Sequence, residues 1–344
     1  MKKTGVRVTS FDVAALAGVS QSAVSRAFTP GTRISEATRK KVLEAAHKLK
    51  YVPNSIASSL TTNRSNIVAL ILGSLENPFY VQVFQEFSQR LQERGLQTLT
   101  FNDGGNGDTD EAIRRVLRYQ IDAVVFTSAQ LSTRMISLCQ DRGIPVALFN
   151  RYLPMSDVPG VRCDNQTGGR LLAEEFLAAG ARSFLLITGD PRGTTSQDRV
   201  RGFTERLLEA GIRRSDIRSL PGLSSYAGGA AAIRTLAEKG DPMPDAVFGI
   251  NDIMAMGAID ALRFDLGKRI PDDVMVAGFD GIPEAGRLNY RLTTARQPLE
   301  AMVNQTLRLL GLAEADRDGV PAGDAPLPVD LLRRDTIRLA TKPV

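Results

Sequence analysis

From Ile67 onward the chain alternates short, uninterrupted apolar runs with amphipathic stretches, and this alternation constrains the fold more than any other feature. The runs are Ile67–Leu72, Gln97–Phe101, Ala123–Thr127, Val146–Phe149, Phe184–Thr188, Ala246–Ile250 and Val274–Gly278. Between them, Val81–Glu93, Asp110–Tyr119, Gly169–Ala179, Arg199–Ala210 and Ile253–Phe264 carry helical periodicity. Strands that are apolar along their whole length are buried on both faces, as they are when helices cover a parallel sheet. Seven or more such units exceed one ordinary domain of ~150 residues. The spacing therefore predicts two adjacent α/β lobes.

Enzyme chemistry is poorly supplied. His47 is the only histidine and sits in a Lys-rich helical stretch, where it reads as a solvated surface residue. That excludes His-clustered metal sites and argues strongly against a Ser-His-Asp or Cys-His hydrolase. Cys139 and Cys163 are too few for a disulfide framework or a thiolate metal site. The glycines of Gly104-Gly-Asn-Gly107 match no dinucleotide fingerprint, and there is no phosphate-loop motif. The expectation is a non-enzyme without cofactor or metal. No apolar run approaches the ~20 residues of a membrane span. The basic start has no apolar core behind it, so it does not read as a secretory signal and a cytoplasmic location is expected.

Charge is divided unevenly. Residues 1–64 hold eleven Lys/Arg against three acids, a net +8, while the remainder holds 32 basic and 35 acidic residues, a net −3. A basic head on a slightly acidic body fits a polyanionic partner, although charge alone does not separate that from a solvated surface. The spacing in the head does. Thr9-Ser-Phe-Asp12 reads as a capping box opening a first helix. Ala17-Gly18-Val19 is a tight turn, with Gly18 suited to a left-handed backbone. Ser20 caps a second helix, with Val19 and Val24 placed as a hydrophobic staple. This is a helix-turn-helix whose second helix offers Gln21, Ser22, Ser25 and Arg26 to the base edges of a major groove. Ser35 caps a third helix carrying Arg39, Lys40, Lys41 and Lys48, which closes the small core and brings charge near phosphates.

These stretches resemble the lactose-repressor (LacI/GalR) family of transcription regulators. The matching segments are Val8–Ser20, Ala23-Val-Ser-Arg26 and Tyr51-Val-Pro-Asn-Ser-Ile-Ala-Ser-Ser-Leu60. The resemblance implies DNA contacts from Thr9, Ser20, Gln21, Ser22, Ser25 and Arg26. It also implies a hinge helix that folds on operator DNA, with Asn54, Ala57 and Leu60 at its matching positions. Asn54 can cap, Ala57 permits close approach of two hinge helices, and Leu60 is an apolar wedge suited to kinking a base step. The family's later motifs recur in order as Asn77-Pro-Phe, Asp164-Asn165, Asp198-Arg199, Arg201-Gly-Phe203, Asn251-Asp252, Gly278-Phe-Asp280 and Arg296-Gln-Pro298.

The implied architecture is a small all-α helix-turn-helix head (1–53), a hinge (54–65) and a periplasmic-binding-protein-like α/β core of parallel sheets (66–344). Lobe 1 takes about 66–163 plus 293–323 and lobe 2 about 164–292 plus 324–344, with crossings near Cys163, Leu292 and Gly323. Effectors of open α/β lobes bind past the carboxyl ends of strands. That selects Phe79, Asn150, Arg151, Arg199, Asn251 and Asp280. Phe79 stacks on a ring or packs the lobe; Arg151 meets the ligand or salt-bridges across the cleft, with Asp280 as a partner to consider. Asp164 and Asp252 read as helix caps, Tyr226 is ambiguous, and Met254 and Met256 read as core.

The favoured reading is an effector-controlled, homodimeric repressor of palindromic operator DNA. Its effector is read as a sugar, more sharply a sugar acid, with a neutral sugar or a purine on Phe79 as alternatives. A solute-binding protein for transport lacks support from the basic head, and an α/β enzyme lacks a nucleophile motif.

Overall fold

The structure, a computed structural model, describes residues 8–28, 31–52, 64–73, 75–102, 114–127, 133–153, 157–313 and 325–338. It forms two compact units, one ending at Asn66 and the other beginning at Ile67.

The first unit is helical: α1 (Ser10–Ala17), α2 (Gln21–Phe28) and α3 (Glu36–Leu49). The capping box forms: Asp12 N donates to Thr9 Oγ1 at 3.4 Å and Thr9 N donates to Asp12 Oδ2 at 2.8 Å. Gly18 ends α1 at φ +64°, a conformation in which a side chain is strained. Ser20 Oγ accepts from Ala23 N, and Ser35 Oγ from Thr38 N. Val13, Ala14, Val24, Ala27, Val42, Ala45 and Ala46 fill the core, small residues that let three short helices approach closely. His47 is exposed, as expected.

The second unit contains two sheets. In the first, β1 (Ile67–Leu72), β2 (Gln97–Asn102), β3 (Ala123–Phe126), β4 (Val146–Phe149) and β5 (Gly160–Val161) lie in the order β2-β1-β3-β4-β5, all parallel. In the second, β6 (Phe184–Thr188), β7 (Ile217–Pro221), β8 (Ala246–Gly249), β9 (Met275–Asp280), β10 (Thr293–Arg296) and β11 (Asp330–Leu332) lie in the order β11-β10-β9-β8-β6-β7. Among the described residues, only the β10–β11 pair is antiparallel. Helices α4 (Pro78–Gln92), α5 (Thr133–Gln140), α6 (Asn165–Ala178), α7 (Thr194–Glu209), α8 (Tyr226–Glu238), α9 (Asp252–Asp260) and α10 (Leu299–Leu309) alternate with the strands. The central strands β1, β3, β4, β8 and β9 are buried at almost every residue, which is why their sequences show no polar alternation.

Two expectations need correction. The expected second crossing near Leu292 falls too early: Thr293–Arg296 pairs with β9 in the second sheet, so the chain leaves that lobe at Gln297-Pro298. Its Thr-Thr-Ala-Arg sequence carries no apolar run to announce a strand. Asp252 does not cap α9; Asn251 does, its Oδ1 accepting from Met254 N at 3.0 Å. Arg39 donates to Ala27 O at the end of α2, in keeping with a third helix that closes the small core. Asp164 caps α6 as expected, accepting from Thr167 N, and Met254 and Met256 are core. The hinge residues Asn54, Ala57 and Leu60, and the crossing near Gly323, lie outside the described residues.

Candidate functional site

The head separates α2 into two faces. Ala23, Val24 and Ala27 are buried, whereas Gln21, Ser22, Ser25 and Arg26 are exposed. Arg26 Nε donates to Ser22 O at 3.3 Å, and Ser20 and Ser22 hydroxyls lie 2.9 Å apart, so the polar face is locally braced. Gln21 Nε2 donates to Ser10 Oγ, tying α2 to α1. Thr9 is exposed at the start of α1. A short helix with donors and acceptors on one side and methyl groups on the other has a polar face of the chemistry that base edges in a major groove match.

In the core, the ends of β4, β8 and β9 hold four of the six predicted cleft residues, Asn150, Arg151, Asn251 and Asp280. Arg199, one and a half turns into α7, is only 5% exposed. Its Nε donates to Asn165 Oδ1 at 2.8 Å, and its Nη1 to Ile250 O at 2.7 Å and Asp280 Oδ1 at 3.0 Å. The guanidinium lies 3.8 Å above the centre of the Phe279 ring. Asp280 collects two further donors: Gln297 Nε2 at 2.8 Å from the lobe crossing, and Asn77 Nδ2 at 3.4 Å from the start of α4 in the other lobe. Burial pushes the Asp280 carboxyl up from its ordinary range, while Arg199, Gln297 and Asn77 hold the charge in place.

Behind this pair lies Asp252, fully buried. Its Oδ2 accepts from the backbone N–H of Gly281 and Ile282, both at 2.8 Å, and its Oδ1 from Thr294 Oγ1 at 2.6 Å. Burial, aided by the nearby Asp280 charge, pushes Asp252 up to about 7. Gly278 is required here because a Cβ would fall 2.2 Å from Asp252 Oδ1. Asp252 thus fixes the turn on which Asp280 sits at the left-handed φ of +124°.

Asn150 and Arg151 follow β4 in the first lobe and are both buried. Asn150 has a left-handed backbone, φ +57°, and its Oδ1 has no hydrogen-bond partner among the described residues. Tyr152, next in sequence, holds the segment to the second lobe: its N–H lies 3.5 Å from Thr194 Oγ1, and its hydroxyl donates to Asp198 at 3.3 Å. Asp190, beyond β6, is held below the usual carboxylate range mainly by the side chain of Arg192, with Arg151 also contributing positive charge. Phe79 is buried, packs edge-on against Tyr80, and with Asp280 lines a cavity of about 690 Å³ that also touches Gln82, Gln297, Asn304 and Arg308.

The structure thus gathers Arg199, Asp280 and the residue before Asn251 into one network. It sets Tyr152, which follows Asn150 and Arg151, against the start of α7, and places Phe79 in the first turn of α4. Asp280 pairs with Arg199, not with Arg151. Asn77, Asn165 and Gln297 were not singled out from sequence, although each stands in a motif already noted. Their signal was position beside a strand end or a crossing. Cys163, at the first crossing, is buried with Sγ 3.4 Å from Asn165 Oδ1 and 3.3 Å from Gln297 Oε1, and burial pushes its thiol up to about 12. It is a structural thiol rather than a nucleophile.

Two family models match the chain. Residues 11–54 match "Bacterial regulatory proteins, lacI family", and residues 65–317 match "Periplasmic binding proteins and sugar binding domain of LacI family". The HTH-type transcriptional regulator CelR of Thermobifida fusca is 33% identical over 306 residues, covering 87% of this chain and 89% of that protein. A solved transcriptional regulator CelR–cellobiose complex is 30% identical, with a TM-score of 0.67 over 96% of this chain and all of that one. The lac repressor dimer bound to operator and an anti-inducer shares the fold with a TM-score of 0.82 at 24% identity, covering 96% of this chain and 99% of that chain.

Proposed function

The chain belongs to the LacI family of DNA-binding transcriptional regulators, and from that membership we propose that it is a homodimeric, cytoplasmic repressor whose hold on a palindromic operator is set by a sugar or sugar acid in the cleft between its core lobes. The observation that carries the reading is the Arg199–Asp280 pair, buried past the strand ends and joined through Asn77 to the opposite lobe. A paired cation and anion offer both donors and acceptors to a polyhydroxylated molecule, and a ligand there competes for the bond that links the lobes. Cellobiose in the solved complex of the CelR regulator supports carbohydrate as the ligand class.

On the DNA side, Gln21, Ser22, Ser25 and Arg26 read bases, with Thr9 and Ser20 placed for backbone contacts, and Asn54, Ala57 and Leu60 act in the hinge. One helix-turn-helix specifies too little sequence alone, so two heads pair on a two-fold site. The second lobe supplies a face for pairing. Leu223, Tyr226, Phe264 and Leu288 are exposed at 75%, 40%, 81% and 86%. They lie around a local cluster in which Tyr226 and Tyr290 hydroxyls both donate to Asp260 and Arg263 donates to Asn289 O. Large exposed apolar groups grouped this way suit burial against a second copy.

The test is a mobility shift of the purified chain on palindromic fragments from upstream of its own gene, with light scattering for the dimer. Release or tightening of that complex by a carbohydrate supports the reading. A monomer that prefers no palindrome overturns it.

A further inference from the structure

Tyr152 joins the two lobes at a point that strand-end position does not select. Thr194 and Asp198 stand four residues apart in α7, and so on one face of that helix. That face meets Tyr152. The Thr194 hydroxyl accepts from Tyr152 N at 3.5 Å and donates to Tyr152 O at 3.4 Å, and the Tyr152 hydroxyl donates to Asp198 Oδ1 at 3.3 Å. The same phenol ring lies under the Arg162 guanidinium, 4.6 Å from its centre. Arg162 belongs to the first crossing, where its carbonyl accepts from Leu327 N at 2.9 Å. One residue thus touches a helix of the opposite lobe and the chain that passes between the lobes.

These contacts sit between two residues of the cleft. Asn150, two residues before Tyr152, has a left-handed backbone at φ +57° and a buried Oδ1 without a partner among the described residues. Arg199, directly after Asp198, is the buried guanidinium on Asp280. A residue other than glycine keeps a left-handed backbone where its surroundings fix it, and here Thr194 and Asp198 do so from the opposite lobe. We infer that Tyr152 is a positioning residue, a strap that seats the turn after β4 on α7 and so holds Asn150 at a set distance from Arg199 before a ligand arrives. Its consequence for ligands rests on the cleft being the effector site. Burial raises the Asp198 carboxyl, while Arg201 at 3.2 Å, the Tyr152 hydroxyl and Arg162 oppose that rise and favour the ionised acceptor. The strap's hydrogen bonds are all long, so they set a pose without locking it. A ligand that engages both walls finds them already in register and forgoes the cost of bringing the lobes together.

The first arm of the test is hydrogen exchange on the full chain without ligand, read by mass spectrometry. Thr194→Val and Asp198→Ala, both in α7, should speed exchange several-fold in the peptide covering 150–153 of the other lobe. Tyr152→Phe should speed it there and in 194–199. Asp198→Asn keeps a carbonyl oxygen for the phenol and should stay near wild type. Unchanged exchange at 150–153 in both α7 variants overturns the strap. So does a rise spread evenly over the core, which is what a merely destabilised fold would give. The second arm is calorimetry with cellobiose, D-ribose and D-galactose. A sugar that binds the wild type should bind Tyr152→Phe about three- to tenfold more weakly, the reduction expected when the seated pose falls to between about a tenth and a third of molecules. In an Asn150→Ala background the same change should cost little, because the strap acts through Asn150. An equal loss in both backgrounds overturns the positioning role. If exchange responds as expected and none of these sugars binds, the strap stands and the carbohydrate reading of the cleft is what fails.

Discussion

Arg199 Nη1 donates to Asp280 Oδ1 at 3.0 Å while its guanidinium covers the Phe279 ring, so one side chain neutralises the cleft carboxylate and seals the floor beneath it. Removing one half of a buried pair costs more than removing both, because the survivor is left as an uncompensated charge. Arg199→Ala should therefore destabilise the core by about 3 kcal/mol, at the lower end of the usual range because Gln297 and Asn77 still donate to Asp280. The double variant Arg199→Met, Asp280→Asn should lose less, and Asn tolerates the left-handed backbone at that position. Urea unfolding midpoints of the single and double variants decide it. A double variant less stable than Arg199→Ala would show that the pair stabilises on its own account.

On DNA, Arg26 and Lys40 should behave differently. Arg26→Ala is expected to lose roughly 1–3 kcal/mol of discrimination between operator and mismatched sites, the range for a bidentate base contact. Lys40→Ala, exposed on α3, should weaken operator and random DNA alike and reduce the salt slope by about one. Binding titrations over a range of salt check both. Equal losses on all sequences for Arg26→Ala would place that side chain on the phosphates.

The alternation of apolar and amphipathic segments was enough to read both lobes, because strands buried on two faces advertise themselves. Edge and polar elements did not. β7 alternates buried and exposed residues at the sheet edge, and β10 pairs through a sequence of two threonines, an alanine and an arginine. α8 was missed because its Tyr-Ala-Gly-Gly-Ala-Ala-Ala start has too little contrast between faces. Gly228 and Gly229 are there for close approach, since a Cβ on Gly228 would meet Gly222 O at 1.8 Å and one on Gly229 would meet Met254 O at 2.1 Å. In the cleft, strand-end logic found the charged residues but not who pairs with whom. By position alone Asp280 suits Arg151 as well as Arg199, and its pairing with Arg199 is a tertiary fact, set by where α7 lies against the end of β9. Asn77, Asn165 and Gln297 were legible as motif residues, but their roles as donors and acceptors around one pair were not.

The apolar face on the second lobe gives a prediction about assembly. Leu288→Asp and Phe264→Asp each place a charge on a side chain that is more than 80% exposed, so the fold should be unaffected within about 0.5 kcal/mol. If a second copy covers this face, the dimer should weaken steeply, because a carboxylate buried there has no partner. Sedimentation and light scattering should show monomer, and operator affinity should fall with it because two linked heads become one. Dimers that persist in both variants would move the interface elsewhere on the chain.

Asp252 should make stability depend on pH in a direction opposite to that of most carboxylates. Its ordinary value is 3.8 and burial raises it to about 7, so the folded chain keeps a proton there over a range in which the unfolded chain has lost it. The folded state therefore binds more protons between those two values, and the contribution of Asp252 to stability is full below about pH 4 and is lost as pH rises through about 7. Asp252→Asn removes the titration. Its amide oxygen can accept from Gly281 and Ile282, and its NH₂ can donate to the Thr294 hydroxyl, so the turn that carries Asp280 need not move. The melting temperature of the variant, relative to wild type, should rise steadily from pH 4 to pH 8. Parallel curves across that range would mean that the three donors around Asp252 outweigh its burial and keep the carboxylate ionised throughout.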